Sequence, residues 1–377
     1  MQIQRLAVHQ MRRFQTAELL PQPGLNLITG DNGAGKTTLL EALHLMAYGR
    51  SFRGRVRDGL IHQGANQLEV FVEWAETSAL LEEGRIRRVG LRHTGQDWSG
   101  RLDGQDVSQM SSLCAALAVV TFEPGSHALV SAGGDPRRRF MDWGLFHVEH
   151  DFLPIWRRYS RALKQRNVLL KQRAAWGAID AWAHELADSG ELLTARRRRY
   201  LDRLQDHAVS LAQQLAPSIE LTGLEFHAGW KRHEMPLADA LLLARERDFQ
   251  YGYTSVGPHR ADWWPVFQQI PGREALSRGQ AKLTALACLL AQAADFAEIR
   301  GDWPVVALDD LGSELDRNHQ RRVLEYLATT PAQVFLTATE LSPAMQPFET
   351  RTNMFHVEHG TVSAPTTSRA SGPVSAD

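Results

Sequence analysis

A mostly apolar stretch, Leu25-Asn26-Leu27-Ile28-Thr29, runs directly into the turn Gly30-Asp31-Asn32-Gly33-Ala34-Gly35-Lys36-Thr37. From Lys36 the pattern turns helical, with Leu39, Leu40, Leu43, Leu45 and Met46 on a helical period. Strand, glycine-rich turn and helix in that order fit G-x-x-x-x-G-K-[ST] in its required context. The glycines let backbone N–H groups turn inward around an anion without Cβ clashes. The helix that follows presents its positive end to the same anion. Residues Gly30 to Thr37, with Thr38, therefore read as a phosphate cradle. Lys36 is placed to reach β and γ oxygens, and the Thr37 hydroxyl to ligate Mg²⁺. A nucleoside triphosphate, ATP, is the expected ligand.

A second motif strengthens the first. Val305-Val306-Ala307-Leu308 is a short apolar run that ends in Asp309-Asp310. A buried parallel strand reads this way, and ligands of open α/β sheets bind at the carboxyl ends of such strands. Asp309 is expected to hold the Mg²⁺ shell and Asp310 to orient an attacking water. Taken alone, the pair reads equally well as an aspartate turn that caps a helix. The Asp310 side chain is shorter than a glutamate would be, which suggests modest turnover.

Leu276-Ser277-Arg278-Gly279-Gln280 opens a helix about 30 residues before the acidic pair and resembles the signature segment of ABC-type ATPases. The bland reading, Ser277 as a helix N-cap, explains Ser277 but not the ordered set of motifs. Ser313-Glu314-Leu315-Asp316 matches the loop of that class that lies at its dimer seam. Other stretches narrow the likeness: Phe14, Leu40-Glu41-Ala42, Gly49-Arg50-Ser51-Phe52-Arg53, and Pro136 to Trp143. Leu163-Lys164-Gln165-Arg166-Asn167 and Gly257-Pro258-His259-Arg260-Ala261-Asp262 complete the set. Over most of residues 1–360 the chain is similar to the RecF family of recombination-repair ATPases, relatives of SMC heads.

The resemblance implies an α/β fold: an ABC-type P-loop ATPase head, a mixed sheet with helices, carrying an inserted helical lobe. It implies that Ser277, Arg278, Gly279 and Gln280 cap the γ-phosphate held by a second subunit. It further implies an ATP-dependent homodimer, slow hydrolysis, and binding near single-strand/double-strand DNA junctions. Cooperation with RecR and RecO in loading RecA belongs to the same expectation. Two departures stand out. The strand after the acidic pair offers Thr337 or Thr339 where a switch histidine is usual. No Q-loop glutamine is evident near Glu123.

The chain has 377 residues, enough for several lobes, and the composition of an ordinary globular protein, 43% hydrophobic and 23% charged. The expected division is a head half over 1–125, a helical lobe over 126–255, a second head half over 256–360, and a disordered tail over 361–377. Residues 217–275 read as short strands and loops. No apolar run approaches the ~18 residues of a membrane span, and no secretory leader is evident, so a cytoplasmic chain with no membrane partner is expected. Its two cysteines, Cys114 and Cys288, read as buried thiols. A transporter ATPase subunit is the alternative function, and a P-loop kinase another. The arginine-rich inserted lobe argues against the first, the signature segment against the second.

Net charge is −1, so DNA must be met by local basic surfaces. Residues 137–173 carry ten Lys/Arg against three Asp/Glu. Arg137, Arg138 and Arg139 are DNA-contact candidates, as are Arg157, Arg161 and Lys164, which share one helical face. Arg50 and Arg53 are further candidates, facing nucleotide or DNA. The four arginines at 196–199 must wrap around a helix and read as solvated surface. The repeated Phe-His-Val-Glu-His at 146–150 and 355–359 lacks zinc-helix spacing, and the ten tryptophans read as packing.

Overall fold

The strand ahead of the glycine-rich turn is buried at all five positions. The reason is its place in the sheet. In this computed structural model, which describes residues 1–54, 59–76 and 85–363, β1 (Gln2–Met11) and β2 (Phe14–Leu19) lead into β3 (Leu25–Thr29) and α1 (Lys36–Tyr48). An antiparallel set follows: β4 (Leu68–Glu76), β5 (Arg85–His93), β6 (Trp98–Leu102) and β7 (Gln105–Val107). Then come α2 (Met110–Ala116) and β8 (Val119–Phe122). The chain returns much later with β11 (Val305–Leu308), β12 (Val334–Thr337), β13 (Thr352–Glu358) and β14 (Thr361–Ser363).

One sheet runs β14-β13-β3-β12-β11-β8, and β3 pairs in parallel with both β12 and β13. A strand covered on both faces has no polar side, which explains the apolar runs of β3, β11 and β12. The other sheet runs β2-β1-β4-β5-β6-β7. It alternates: Leu6, Val8, Val70, Val72 and Trp74 enter the core, while the other face carries the pairs Arg5–Glu18, Arg88–Glu73, Arg92–Glu69 and Arg101–Asp106.

Between β8 and β11 the chain is mostly helical. α3 (Ala128–Ser131), α4 (Gly134–Val148), α5 (Phe152–Lys171) and α6 (Trp176–Leu215) come first. Next are β9 (Leu221–His227), α7 (Leu237–Leu243), α8 (Arg245–Tyr251), β10 (Asp262–Phe267) and α9 (Arg278–Arg300). α10 (Leu311–Glu314) and α11 (Arg317–Ala328) follow the acidic pair. α6 is 40 residues long, roughly 60 Å at 1.5 Å per residue. Two helices, α7 and α8, occupy the region expected to hold only strands and loops. Each has seven residues, about two turns, too few to display a helical period.

The chain divides into two compact units. Among the described residues, one takes those within Met1–Thr121, Val305–Ser313 and 324–363; the other takes Phe122–Pro304 and Glu314–Val323. The second unit thus includes α9, which the sequence division assigned to the head. Its buried polar groups explain this: Gln292 donates to Phe140 O and to the Tyr200 hydroxyl, both at 2.8 Å, and Asp295 accepts from Arg203 at 2.5 and 3.2 Å. The expected disordered tail lies outside the described residues from 364 on, while 361–363 form β14.

Candidate functional site

The glycine-rich turn leaves the carboxyl end of β3 with positive φ at Gly30 (142°), Gly33 (80°) and Gly35 (125°). Two of these glycines are required by space as well as by φ. A Cβ on Gly30 would stand 2.1 Å from the carbonyl oxygen of Val357, and one on Gly35 2.7 Å from the ring of Phe14. β13 and β2 thus press on the loop from behind. Lys36 is buried and folds back along the loop, donating to Gly30 O at 2.6 Å and Asp31 O at 2.9 Å. Burial holds its pKa below the ordinary lysine value, against the opposing pull of Asp310, Asp309 and Asp31.

Parallel pairing in the order β3-β12-β11 brings the acidic pair to the same edge. Asp309 Oδ1 accepts from the Thr37 hydroxyl at 2.9 Å and from the Thr337 hydroxyl at 2.7 Å. Burial pushes the Asp309 carboxyl above its usual range, the two hydroxyls only partly offsetting it, and Asp310 adds to the rise. A buried carboxylate and a hydroxyl, both hard oxygen donors, are what Mg²⁺ takes, so these residues fit the ion. Asp310 has a positive φ of 51°, rare for a residue with a side chain. Its backbone N–H donates to Thr337 Oγ1 at 2.8 Å, and its carboxylate accepts from Ser313 at 2.6 Å. Of the two threonines open at the switch position, Thr337 is the one brought to the acids; Thr339 is exposed.

These groups border a cavity of about 650 Å³ lined by Asn32, Lys36, Thr37, Asp310 and Thr337. It also takes Arg12, Arg13 and Arg53. Arg53, offered as facing nucleotide or DNA, lies on the cavity, and its charge acts on Asp309. Arg12 and Arg13 went unread in the sequence, since nothing local marks them; only the β1–β2 turn delivers them to the loop. Arg12 is fixed by a bidentate pair with the fully buried Glu41, at 2.6 and 2.8 Å, and Ser51 also donates to Glu41. Another cavity, about 500 Å³, lies on the outer face of the antiparallel sheet, where its arginines are paired with carboxylates.

The signature residues stand in the second unit, the phosphate loop in the first. Ser277 caps α9 with a full capping box: Gln280 N–H donates to Ser277 Oγ at 3.3 Å, and Ser277 N–H to Gln280 Oε1 at 2.9 Å. Ser277, Arg278 and Gly279 are exposed, and a Cβ on Gly279 would meet only open space. Lys282 of α9 pairs with Glu314 at 2.6 Å, which ties this helix to the segment after the acidic pair. Glu123, near the expected Q-loop, accepts from the Gly125 N–H at 2.5 Å in a turn.

Comparison with known proteins places this arrangement. The family model "RecF/RecN/SMC N terminal domain" matches residues 2–363. A protein of Xanthomonas axonopodis pv. citri (strain 306), named DNA replication and repair protein RecF, is 69% identical over 362 residues, 96% of this chain and 98% of that one. The chain belongs to the RecF family. A RecF of Shewanella denitrificans is 35% identical over 96% of this chain and 99% of its own. Among solved structures, one described as the recombination mediator protein RecF with ATP in the RecFOR pathway superposes with a TM-score of 0.83. It is 23% identical, covers 97% of this chain and 98% of that one, and shares the fold. An Smc head bound to the C-winged helix domain of ScpA shares the fold at a TM-score of 0.58, with 15% identity over 98% and 99% of the two chains.

The basic residues of this RecF-family chain separate into structural and surface groups. Arg137 has no exposed surface. It holds Asp262 at 2.6 and 2.9 Å and donates to the carbonyls of Leu129, Val130 and Ala132, so it is no DNA contact. Arg138 is partly used as well, donating to Ala261 O at 2.7 Å and pairing with Asp135. Arg139 and Arg50 are exposed, as are Arg157, Arg161 and Lys164 along α5. The run at 196–199 is not all solvated surface: Arg197 is buried against Asp142 and Pro258 O. Its neighbour Tyr200 packs over Gly144, so one face of that turn belongs to the core.

His147 of the first Phe-His-Val-Glu-His is a core residue, packed by Trp143 and Phe296, and burial lowers its pKa to about 3. His356 of the second is exposed. Among the described residues no three His, Cys, Asp or Glu converge on a metal position. Cys114 and Cys288 are buried free thiols. No helix of the described residues is long and apolar enough to cross a membrane. The tryptophans divide: Trp74 and Trp263 are core, but Trp156 is exposed.

Proposed function

We propose that this chain is an ATP-switched DNA-binding protein of recombinational repair and replication restart. It would clamp single-strand/double-strand DNA as an ATP-bound homodimer and help load RecA with RecO and RecR. The names of relatives up to 69% identical, DNA replication and repair protein RecF, support the biological setting. The observation that supports the clamp is the exposed start of α9. A helix N-terminus binds anions, and here it is capped, exposed and open above Gly279. A glycine-rich turn on one compact unit and an exposed, capped helix start on the other support a site that two chains complete for each other.

Within the cradle, the N–H groups of Gly33 to Thr38 and Lys36 would bind the β and γ phosphates. Thr37 and Asp309 would hold Mg²⁺, which when bound neutralises phosphate charge. Asp310, locked by Thr337 and Ser313, would orient water. The short carboxylate favours slow turnover, so ATP would serve as a switch. Arg139, Arg157, Arg161, Lys164 and Arg50 form the exposed cationic set for DNA phosphates.

Sedimentation with ATP, ADP or no nucleotide, with and without gapped duplex, tests this. Dimers and retained DNA are expected with ATP alone, and both should weaken in Lys36→Ala. ADP dimerising the chain as strongly as ATP would contradict the reading.

A further inference from the structure

The segment Gly257 to Asp262 is held from four sides. Arg197 donates to Pro258 O at 2.7 Å, and the Tyr159 hydroxyl meets His259 Nδ1 at 2.6 Å. Arg138 donates to Ala261 O at 2.7 Å, and Arg137 grips Asp262. Of its side chains with charge, Arg260 alone is left exposed. Among the described residues it makes no ion pair. Instead its guanidinium carbon stands 5.4 Å from the ring centroid of Tyr253.

Tyr253 in turn stacks on Tyr251, with centroids 5.7 Å apart and planes 19° from parallel. The residues Tyr253 and Tyr251 are 41% and 59% exposed. Gly252 lies between them with a φ of 73° at the end of α8, the left-handed turn that sets both tyrosines on one side. The surroundings are cationic. Lys171 is exposed beside Gly252, and Arg247 is anchored on the Ser255 hydroxyl at 2.8 and 3.1 Å. The nearby Asp248 is buried and spent on Arg166 and Ser255, which leaves Glu246 as the exposed acid of α8.

Two stacked, half-bare aromatic rings stabilise the fold little, and a guanidinium over Tyr253 adds a phosphate-binding charge. Aromatic faces with interleaved cations are how proteins hold unpaired nucleotides, since every base has a π-face. We propose that Tyr251, Tyr253 and Arg260 form a stacking platform for the unpaired nucleotides of a DNA strand. The platform rests on the DNA-binding reading above and names the part of the DNA that this face takes.

The test is fluorescence anisotropy of the full chain with labelled oligothymidylate and with duplex of the same length. Tyr251→Ala/Tyr253→Ala should weaken oligothymidylate binding roughly tenfold or more per ring and leave duplex binding within about twofold. Tyr253→Phe, which keeps the ring, should behave as the parent; Arg260→Ala should weaken binding. Thermal melting of each variant establishes that it is folded. Unchanged oligothymidylate binding by the double variant, or equal loss on duplex, overturns the platform and leaves the ATP switch standing. Loss of self-association with DNA binding intact marks the patch as a protein contact and also overturns it. A parent chain that binds no DNA in any form sinks the underlying reading too.

Discussion

Arg137, with no surface of its own exposed, is gripped by both carboxylate oxygens of Asp262, 125 residues further along the chain. The contact joins α4 to the start of β10 and holds the Asp262 carboxyl below its usual range, against the cost of burial. Removing one partner of such a pair strands the other charge, which costs about 3–5 kcal/mol. Arg137→Ala is therefore expected to lose about 3 kcal/mol or more in urea unfolding. Arg161→Ala, on the exposed face of α5, should stay within about 0.5 kcal/mol of the parent. In DNA titrations at several salt concentrations it should reduce the salt slope by about one.

The glycines of the phosphate loop differ in what surrounds them. Gly30→Ala drives a methyl group into the Val357 carbonyl and Gly35→Ala into the Phe14 ring, whereas the nearest atom to a Cβ on Gly33 is 3.8 Å away, on Arg13. Binding of a fluorescent ATP analogue should fall at least roughly tenfold in the first two. Gly33→Ala should suffer less, keeping only the left-handed backbone penalty of about 1–2 kcal/mol. Equal losses at all three positions would contradict the steric argument.

Thr337 holds Asp309 and the backbone of Asp310 at once. Thr337→Val keeps the shape and removes the hydroxyl. Turnover is expected to drop about tenfold or more, because both hydrogen bonds are lost, each contributing about 0.5–1.5 kcal/mol, while ATP affinity stays within about threefold. Thr339→Val, on an exposed residue, should change neither. Single-turnover hydrolysis and equilibrium nucleotide binding separate the two quantities.

Three largely buried histidines make the fold sensitive to acid. Burial lowers His44 and His147 to about 3 and His259 to about 4, from an ordinary 6.5. Below pH 6.5 the unfolded chain takes up protons at these sites and the folded chain does not. Stability is thus fully present above pH 6.5 and falls as pH drops toward 4, by about 1.4 kcal/mol per pH unit for each histidine. Denaturant midpoints between pH 7.5 and 4.5 test this. A His147→Phe variant that folds should show a shallower slope, and a slope unchanged from the parent would refute the assignment.

Much of this site was legible in one dimension because each half is local. A cradle needs strand, turn and helix in succession, and residues 25–48 contain all three; the acid pair needs only a buried strand and its end. The same locality explains what was misread. Arg137 and Arg197 look like surface charge until Asp262 and Asp142 arrive from elsewhere to neutralise them. Arg12 and Arg13 acquire meaning only where the β1–β2 turn meets the loop.

The pentapeptide Phe-His-Val-Glu-His marks the boundary most sharply. At 146–148 its first three residues finish α4 and bury His147; at 355–357 the same three lie in β13, paired with β3 and β14. Local chemistry allows both conformations, and the choice falls to whichever neighbours can cover the apolar side chains. The geometry of the proposed phosphate cradle was thus written into short stretches of chain, because backbone turns and hydroxyl positions depend on adjacent residues. Which charges stay free for a partner was set by contacts between residues far apart in the chain, 55 positions for Arg197 and Asp142 and 125 for Arg137 and Asp262, because a charge is silenced only by another group brought beside it and shielded from water.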